Sequence, residues 1–458
     1  MLLTTRNLAL SILALVSVTL VLAAPADALT LDNTYGTSGT SAPIELPANH
    51  SFKFVDSVIR SDGSIAILIR NKNNKDFRIY SLTAEGKPDP AFGAAGFRVG
   101  DFADGHPSRP VKLAAYPDGR LVVAGTRTTY TPYSRATLVA RFRRDGTQDR
   151  SFGKRRGKRA PVAVKIGVRG SDVTPGGIAV DRKQRVVVSY HATPAQLGTV
   201  RLLKNGLPDG SYGSVTGASS GVLATSKLKG TDGSADSLAV LPDGSAIIGG
   251  GFPPGCAGCG LTPFLLKIDS KGRLDKNFGP STNRPYGYLT LPLPFFGSRV
   301  SIQATDDGKF YSAVNTGRQY GYGNVIDLVS PEVRRHLPNG TTDSAFSTDV
   351  GLSDPAYPSE APAKEDLIYN GFSVSPAERI AVCGQDVRMP FDSPRVFNRS
   401  GFIQILDRAT GADLGAPPAN LLVTGMAGNP IDDCAWQSEG NLLVVDQNGN
   451  VTVSRYHP

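Results

Sequence analysis

Residues 117–125 read Pro117-Asp118-Gly119-Arg120-Leu121-Val122-Val123-Ala124-Gly125, followed by Leu138-Val139-Ala140-Arg141-Phe142, Asp145-Gly146 and Asp149-Arg150-Ser151-Phe152-Gly153. An Asp-Gly pair ahead of a β-branched run supplies the positive backbone dihedrals of a tight hairpin, which Gly adopts without a Cβ penalty. The segment from Asp149 to Gly153 is a corner of another kind. Its Asp can accept hydrogen bonds from the N–H groups of the turn, its Gly allows a sharp change of direction, and its Phe offers an apolar face to a neighbouring unit. Around these turns, residues 111–116, 120–125, 137–143 and 161–166 alternate or are rich in β-branched side chains, which predicts four short strands. The hairpin joins the first strand to the second, and the corner joins the third to the fourth.

The unit recurs along the chain. Hairpins stand at Ser61-Asp62-Gly63-Ser64, Pro242-Asp243-Gly244-Ser245, Asp306-Asp307-Gly308-Lys309 and Ser438-Glu439-Gly440-Asn441, with altered copies at Asp181-Arg182-Lys183-Gln184 and Pro376-Ala377-Glu378-Arg379. Corners stand at Asp32-Asn33-Thr34-Tyr35-Gly36, Asp89-Pro90-Ala91-Phe92-Gly93, Asp209-Gly210-Ser211-Tyr212-Gly213 and Asp275-Lys276-Asn277-Phe278-Gly279, and weaken at Asp343 to Ser347 and Asp413 to Gly415. Seven hairpins spaced 56 to 70 residues apart, with no sustained helical period, predict an all-β chain. The expected architecture is a seven-bladed β-propeller of four-stranded antiparallel blades, forming one domain over residues 29–458. The last unit stops after three strands, and the missing pieces stand at the other end of the chain. Asp32 to Gly36 and then Ala42 to Leu46 are expected to complete the final blade against Val451 to Tyr456, closing the ring without an open edge. An open solenoid is the alternative.

On these residues the units resemble the bacterial delta-60 repeat, and the resemblance covers nearly all of the chain beyond residue 28. It implies a propeller-like exported protein. The repeat brings no general catalytic motif, so the resemblance assigns no active residues.

Residues 1–28 combine an early cation, Arg6, an apolar run from Leu8 to Leu22 and an Ala26-Asp27-Ala28 ending, the pattern of an export signal peptide. The run is short of the roughly 20 residues that span a bilayer. The expectation is a secreted or periplasmic protein that does not span a membrane and acts as a monomer. Net charge is +9, and residues 141–169 hold eleven Lys or Arg against Asp145 and Asp149, leaving the remainder close to neutral. Cys256, Cys259, Cys383 and Cys434 form an even set, for which disulfides are expected and three pairings exist. The Cys256-Ala257-Gly258-Cys259 spacing suits a local bridge, with Cys383 and Cys434 then linking blades six and seven; neither a zinc site nor a thioredoxin-like setting accompanies it.

Function is expected in the loops on the face away from the hairpins, because loops carry binding sites more often than scaffolds do. The variable loops are residues 126–136, 251–263, 293–298, 315–324, 348–366 and 384–400. They carry the ligand-binding candidates Tyr130, Tyr133, Phe252, Phe296, Arg318, Tyr320, Tyr322 and Tyr357, aromatic and Arg side chains of the kind recognition surfaces use. The plainer alternative is that some of these rings plug loop bases. Lys154, Arg155, Arg156, Lys158 and Arg159 form a candidate patch for an anionic polymer; the lack of interleaved stacking residues argues against nucleic acid. The functional expectation is a non-catalytic binding module for a protein or glycan, without a cofactor.

The rival expectation is a metal-dependent hydrolase or lyase using acids near the axis: Asp56, Asp172, Asp236, Asp432 and Asp433. Adjacent Asp432 and Asp433 should not both point inward from a regular strand, which favours a turn or capping role for them. The histidines His50, His106, His191, His336 and His457 show no metal-ligand spacing, so no metal site is expected. Gly217 to Gly221 matches a nucleophile-elbow string but lacks the strand and helix that would frame it.

Overall fold

A computed structural model describes residues 29–457 apart from 47–51, 72–75, 103–106, 132, 154–162, 167–171, 194–195, 214–221, 226–232, 253–261, 280–286, 292–295, 320–325, 347–362, 377, 391–397, 413 and 415–430. After β1 (Thr30–Leu31), blade 1 comprises β2 (Phe52–Ile59), β3 (Ile65–Asn71), β4 (Phe77–Leu82) and β5 (Phe97–Gly100), and blade 2 comprises β6 (Ser108–Ala115), β7 (Leu121–Tyr130), β8 (Tyr133–Phe142) and β9 (Val164–Ile166). Blade 3 holds β10 (Val173–Val180), β11 (Val186–Ala192), β12 (Gln196–Leu202) and β13 (Val222–Thr225), and blade 4 holds β14 (Ser234–Val240), β15 (Ala246–Phe252), β16 (Thr262–Ile268) and β17 (Tyr288–Thr290). Blades 5 and 6 show three strands among the described residues, β18 (Phe296–Ala304) to β20 (Ile326–His336) around β19 (Phe310–Gln319), and β21 (Ala363–Val374) to β23 (Asn398–Asp407) around β22 (Arg379–Pro390). Blade 7 is β24 (Ile431–Trp436), β25 (Leu442–Asn448) and β26 (Asn450–His457), with β1 as its fourth strand. All pairings are antiparallel, and the described residues contain no helix.

The first strands of the blades touch in succession around the ring, and β24 returns to β2, so seven blades close around a common axis. Each first strand carries a bulge, as between Phe54 and Asp56, Pro110 and Lys112, or Ile431 and Asp433. A bulge bends the strand and re-aims its side chains.

The core lies between blades and follows from two-residue alternation. On β3, Ile65, Ile67 and Ile69 pack towards blade 7, whereas Ala66 and Leu68 pack towards blade 2. Middle strands are therefore apolar on both faces. Each fully buried Ile or Leu contributes about 1.5 to 3 kcal/mol relative to exposure.

Corners work as expected and use a partner not read from the sequence. Asp149 and Asp209 each accept the N–H two residues on at 3.0 Å, and the corner rings Tyr35, Phe92, Phe152, Tyr212, Phe278 and Phe346 are buried. A cation on the third strand then staples the corner to the next blade. Arg141, Arg201 and Arg335 donate to Asp149, Asp209 and Asp343 at 2.9, 2.8 and 2.9 Å. They also reach the carbonyls of Lys204, Ser270 and Arg408 in the following blade at 2.6, 2.7 and 2.8 Å. Each guanidinium lies over its corner ring, 4.2 Å from the centroid for Arg201 on Tyr212. The next blade fits against the same ring: at Gly206, with φ of +82°, an added Cβ would come within 2.6 Å of Phe152.

Ring closure repeats this device with the two ends of the chain. Arg455 on β26 donates to Asp32 at 2.6 Å and to the carbonyl of Ala84 in blade 1 at 2.8 Å. Burial alone would raise the pKa of Asp32, but hydrogen bonds from Thr34 and Arg455 outweigh it and hold it at about 2. Ile44 and Val451 exchange backbone hydrogen bonds of 2.8 and 3.4 Å, as expected for the segment from Ala42 to Leu46. One expectation is corrected: the regular closing strand is β1, with Thr30 opposite His457 and Leu31 opposite Tyr456. In other blades a turn binds the third strand to its corner and allows an isolated bridge there, as at Phe142 and Gln148. No turn joins β26 to the first corner, so the chain pairs for two residues.

Cys383 and Cys434 are bridged across blades 6 and 7, with Cα atoms 6.3 Å apart. No described helix is long and apolar enough to cross a membrane.

Candidate functional site

The segment from Thr126 to Ala136, expected as a loop, is almost entirely strand. β7 and β8 remain paired through Thr126–Thr137, Thr128–Arg135 and Tyr130–Tyr133, so a two-stranded ribbon extends beyond the body of blade 2. The reason is composition: Thr and Tyr favour the pleated backbone, and cross-strand pairs continue the ladder. Tyr130 and Tyr133 close the ribbon tip as direct partners and are 67% and 54% exposed.

This ribbon forms one wall of a cleft of about 570 Å³ between blades 1 and 2, on the face opposite the hairpins. Its floor is built from the starts of the first strands, with Phe54 and Val55 on β2, Pro110 and Val111 on β6, and Thr174 on β10. Lys53, Arg70, Arg109 and Arg135 line it as well, and among the described residues no Asp or Glu does. Lys53 and Arg70 are directly opposed across β2 and β3. Arg135 lies over the Tyr133 ring at 5.6 Å from its centroid, and its backbone N–H donates to Asp172 at 2.8 Å. The positive field reaches His191, whose pKa is lowered first by burial and then by the Arg135 charge.

The axial acids occupy a different place. Asp56 accepts from the Leu113 N–H at 2.7 Å and from Lys112 at 3.3 Å, linking blades 1 and 2. Asp433 accepts from the Ser57 hydroxyl at 2.5 Å and from the Cys434 N–H at 2.9 Å, linking blades 7 and 1. Burial, followed by the nearby Asp56 charge, pushes the pKa of Asp433 up to about 7. Asp432 is raised to about 6, chiefly by burial. The expected turn or capping role for Asp432 and Asp433 is corrected: both stand in β24, where the bulge breaks the alternation on which that expectation relied. Asp236 sits at the corresponding bulge of β14. Among the described residues no three His, Cys, Asp or Glu side chains are grouped to hold a metal ion.

The remaining candidates disperse. Phe252 turns inward, 8% exposed and stacked on Phe264 at 4.3 Å between centroids, so it plugs the base of its hairpin and presents no face to a ligand. Phe296 and Arg318 fall on β18 and β19, and their side chains lie outside the described residues. Tyr320, Tyr322, Tyr357, Cys256, Cys259, His50, His106, the Gly217 to Gly221 string and the patch of Lys154, Arg155, Arg156, Lys158 and Arg159 also lie outside them. His336 is buried against Phe310 and bonded to Ser312 at 2.9 Å, and His457 lies 3.1 Å from Asp32. The sequence reading missed Lys53, Arg70 and Arg109, because they are scattered along the chain and meet only when blades 1 and 2 pack.

A family model described as "Domain of unknown function (DUF5122) beta-propeller" matches residues 117–152, the segment from the blade 2 hairpin to its corner. The chain is a β-propeller repeat protein. No curated protein matches it by sequence. Among solved structures, it is similar to the α-L-arabinofuranosidase Arb93A from Fusarium graminearum, at 10% identity over 92% of this chain and 98% of that one, with a TM-score of 0.41. YCF48 from Cyanidioschyzon merolae matches at 10% identity over 91% and 98% of the two chains, with a TM-score of 0.39. The β-propeller domain of the Trilobed protease from Pyrococcus furiosus matches at 8% identity over 74% and 78%, with a TM-score of 0.37.

Proposed function

We propose that this protein is an exported, non-catalytic binding module built of delta-60 repeats, with its ligand seated in the cleft between blades 1 and 2. The observation that carries the reading is the Tyr130–Tyr133 pair, two exposed rings on a paired ribbon that lines the cleft. Rings fixed in place offer large contact area and lose little freedom on binding. Metal-dependent hydrolysis at the axis is the weaker reading, since Asp56 and Asp433 spend their oxygens on bonds between blades. The test is a glycan-array and secreted-protein screen with the wild type, followed by calorimetry on the Tyr130→Ala/Tyr133→Ala variant. Affinity should fall about thirtyfold, since central aromatic anchors are worth about 2 kcal/mol or more. Unchanged affinity would place the ligand elsewhere.

A further inference from the structure

Resting on that reading of the cleft, the charge of its lining identifies the class of ligand. Lys53, Arg70, Arg109 and Arg135 come from four strands of two blades, and no carboxylate stands in the lining among the described residues. Asp432 feels the Lys53 charge, and Asp172 holds the backbone of Arg135. Lys53 and Arg70 face each other across the ladder, an arrangement that repels, and neither takes part in an ion pair among the described residues. Scaffold arginines are treated otherwise, as Arg141, Arg201, Arg335 and Arg455 all have a corner Asp. The Thr126 hydroxyl, also in the lining, is buried without a hydrogen-bond partner.

We propose that the cleft binds an acidic polysaccharide. Arg109 and Arg135 stand on strands two apart in one sheet, roughly 10 Å at about 4.8 Å per strand spacing. Charge spread in this way suits a chain with repeating anionic groups better than one small anion. Arg forks match carboxylate or sulfate oxygens, the tyrosine pair can cover the apolar face of a sugar ring, and the threonine hydroxyls suit sugar hydroxyls. Single-stranded nucleic acid fits less well, because base stacking requires rings spaced along the cations and both exposed rings sit at one end. The Cys383–Cys434 bridge also points to an oxidising compartment, where glycans are abundant.

The experiment measures binding of the whole protein to polygalacturonate, its fully methyl-esterified form, dextran sulfate, dextran and oligo(dT), for the wild type and for Lys53→Gln/Arg70→Gln. Lys53 is exposed and Arg70 half-buried, and a melting curve checks that the variant is folded. One of the two acidic glycans should bind at least about tenfold tighter than its neutral counterpart, and that preference should shrink about tenfold or more between about 50 and about 200 mM salt. The variant should lose the preference, and whether uronate or sulfate is favoured identifies the anionic group. Equal binding of acidic and neutral forms overturns the charge assignment while leaving the cleft reading intact. Tighter binding of oligo(dT), acidic binding undiminished in the variant, or no binding of either acidic glycan overturns the proposal.

Discussion

The corner staples and the blade 1–2 cleft both contain arginine beside an aromatic ring, yet they treat charge in opposite ways. At a staple, Arg201 and Asp209 are 3% and 6% exposed, and every polar direction of the guanidinium is directed into protein. At the cleft, the exposed Lys53 and the half-buried Arg70 stand opposite one another, an arrangement in which like charges repel. The staple cation is buried against its own Asp, whereas Lys53 and Arg70 take part in no ion pair among the described residues. The difference separates scaffold from site in a molecule whose repeats otherwise look alike.

The most forceful way to break the comparison is Arg201→Ala. It removes the closest cation from Asp209, which keeps its Ser211 hydrogen bonds and Arg185 at 3.6 Å, and it removes the donor to the Ser270 carbonyl; loss of such charge-assisted hydrogen bonds costs about 1.5 to 3 kcal/mol. Denaturant unfolding should show that loss; a stability within about 0.5 kcal/mol of the wild type would mean the staple is dispensable. Asp433→Asn probes the axial acids. Because the folded pKa of Asp433 is raised from 3.8 to about 7, the folded state holds a proton that the unfolded state releases. The wild type should therefore lose stability as pH rises from about 4 to about 7, Asp433 contributing on the order of a few kcal/mol, and the variant should show a shallower slope, keeping the share of the other raised acids such as Asp432. A slope identical in both proteins would show that Asp433 titrates normally. The smallest effect sharpens the contrast from the other side: Lys53→Gln/Arg70→Gln should change stability by no more than a few tenths of a kcal/mol, since the repulsion it removes is offset by the lost attraction between Lys53 and Asp432. A marked drop would make these cations scaffold residues.

Legibility followed the range over which each interaction acts. The Asp118-Gly119 hairpin and the Asp149 to Gly153 corner are local devices, and each formed where the residues said it would. The third-strand cation was visible as Arg141 but silent in purpose, since its partners include a carbonyl 63 residues away. The threonine-rich segment from Thr126 to Tyr130 read as a loop because it extends beyond the repeat, whereas its β-forming side chains carry the ladder to the tip. Phe252 looked like a ligand contact until Phe264 supplied a ring to stack on.

The sequence by itself determined the repeat, the hairpin and corner chemistry and the count of blades, because turn preferences and two-residue alternation act within a few residues of the chain. Only the tertiary structure decided which cations meet a corner Asp and which gather at the cleft. Lys53 and Arg135 are 82 positions apart in sequence, and nothing short of blade against blade brings them to the same cavity.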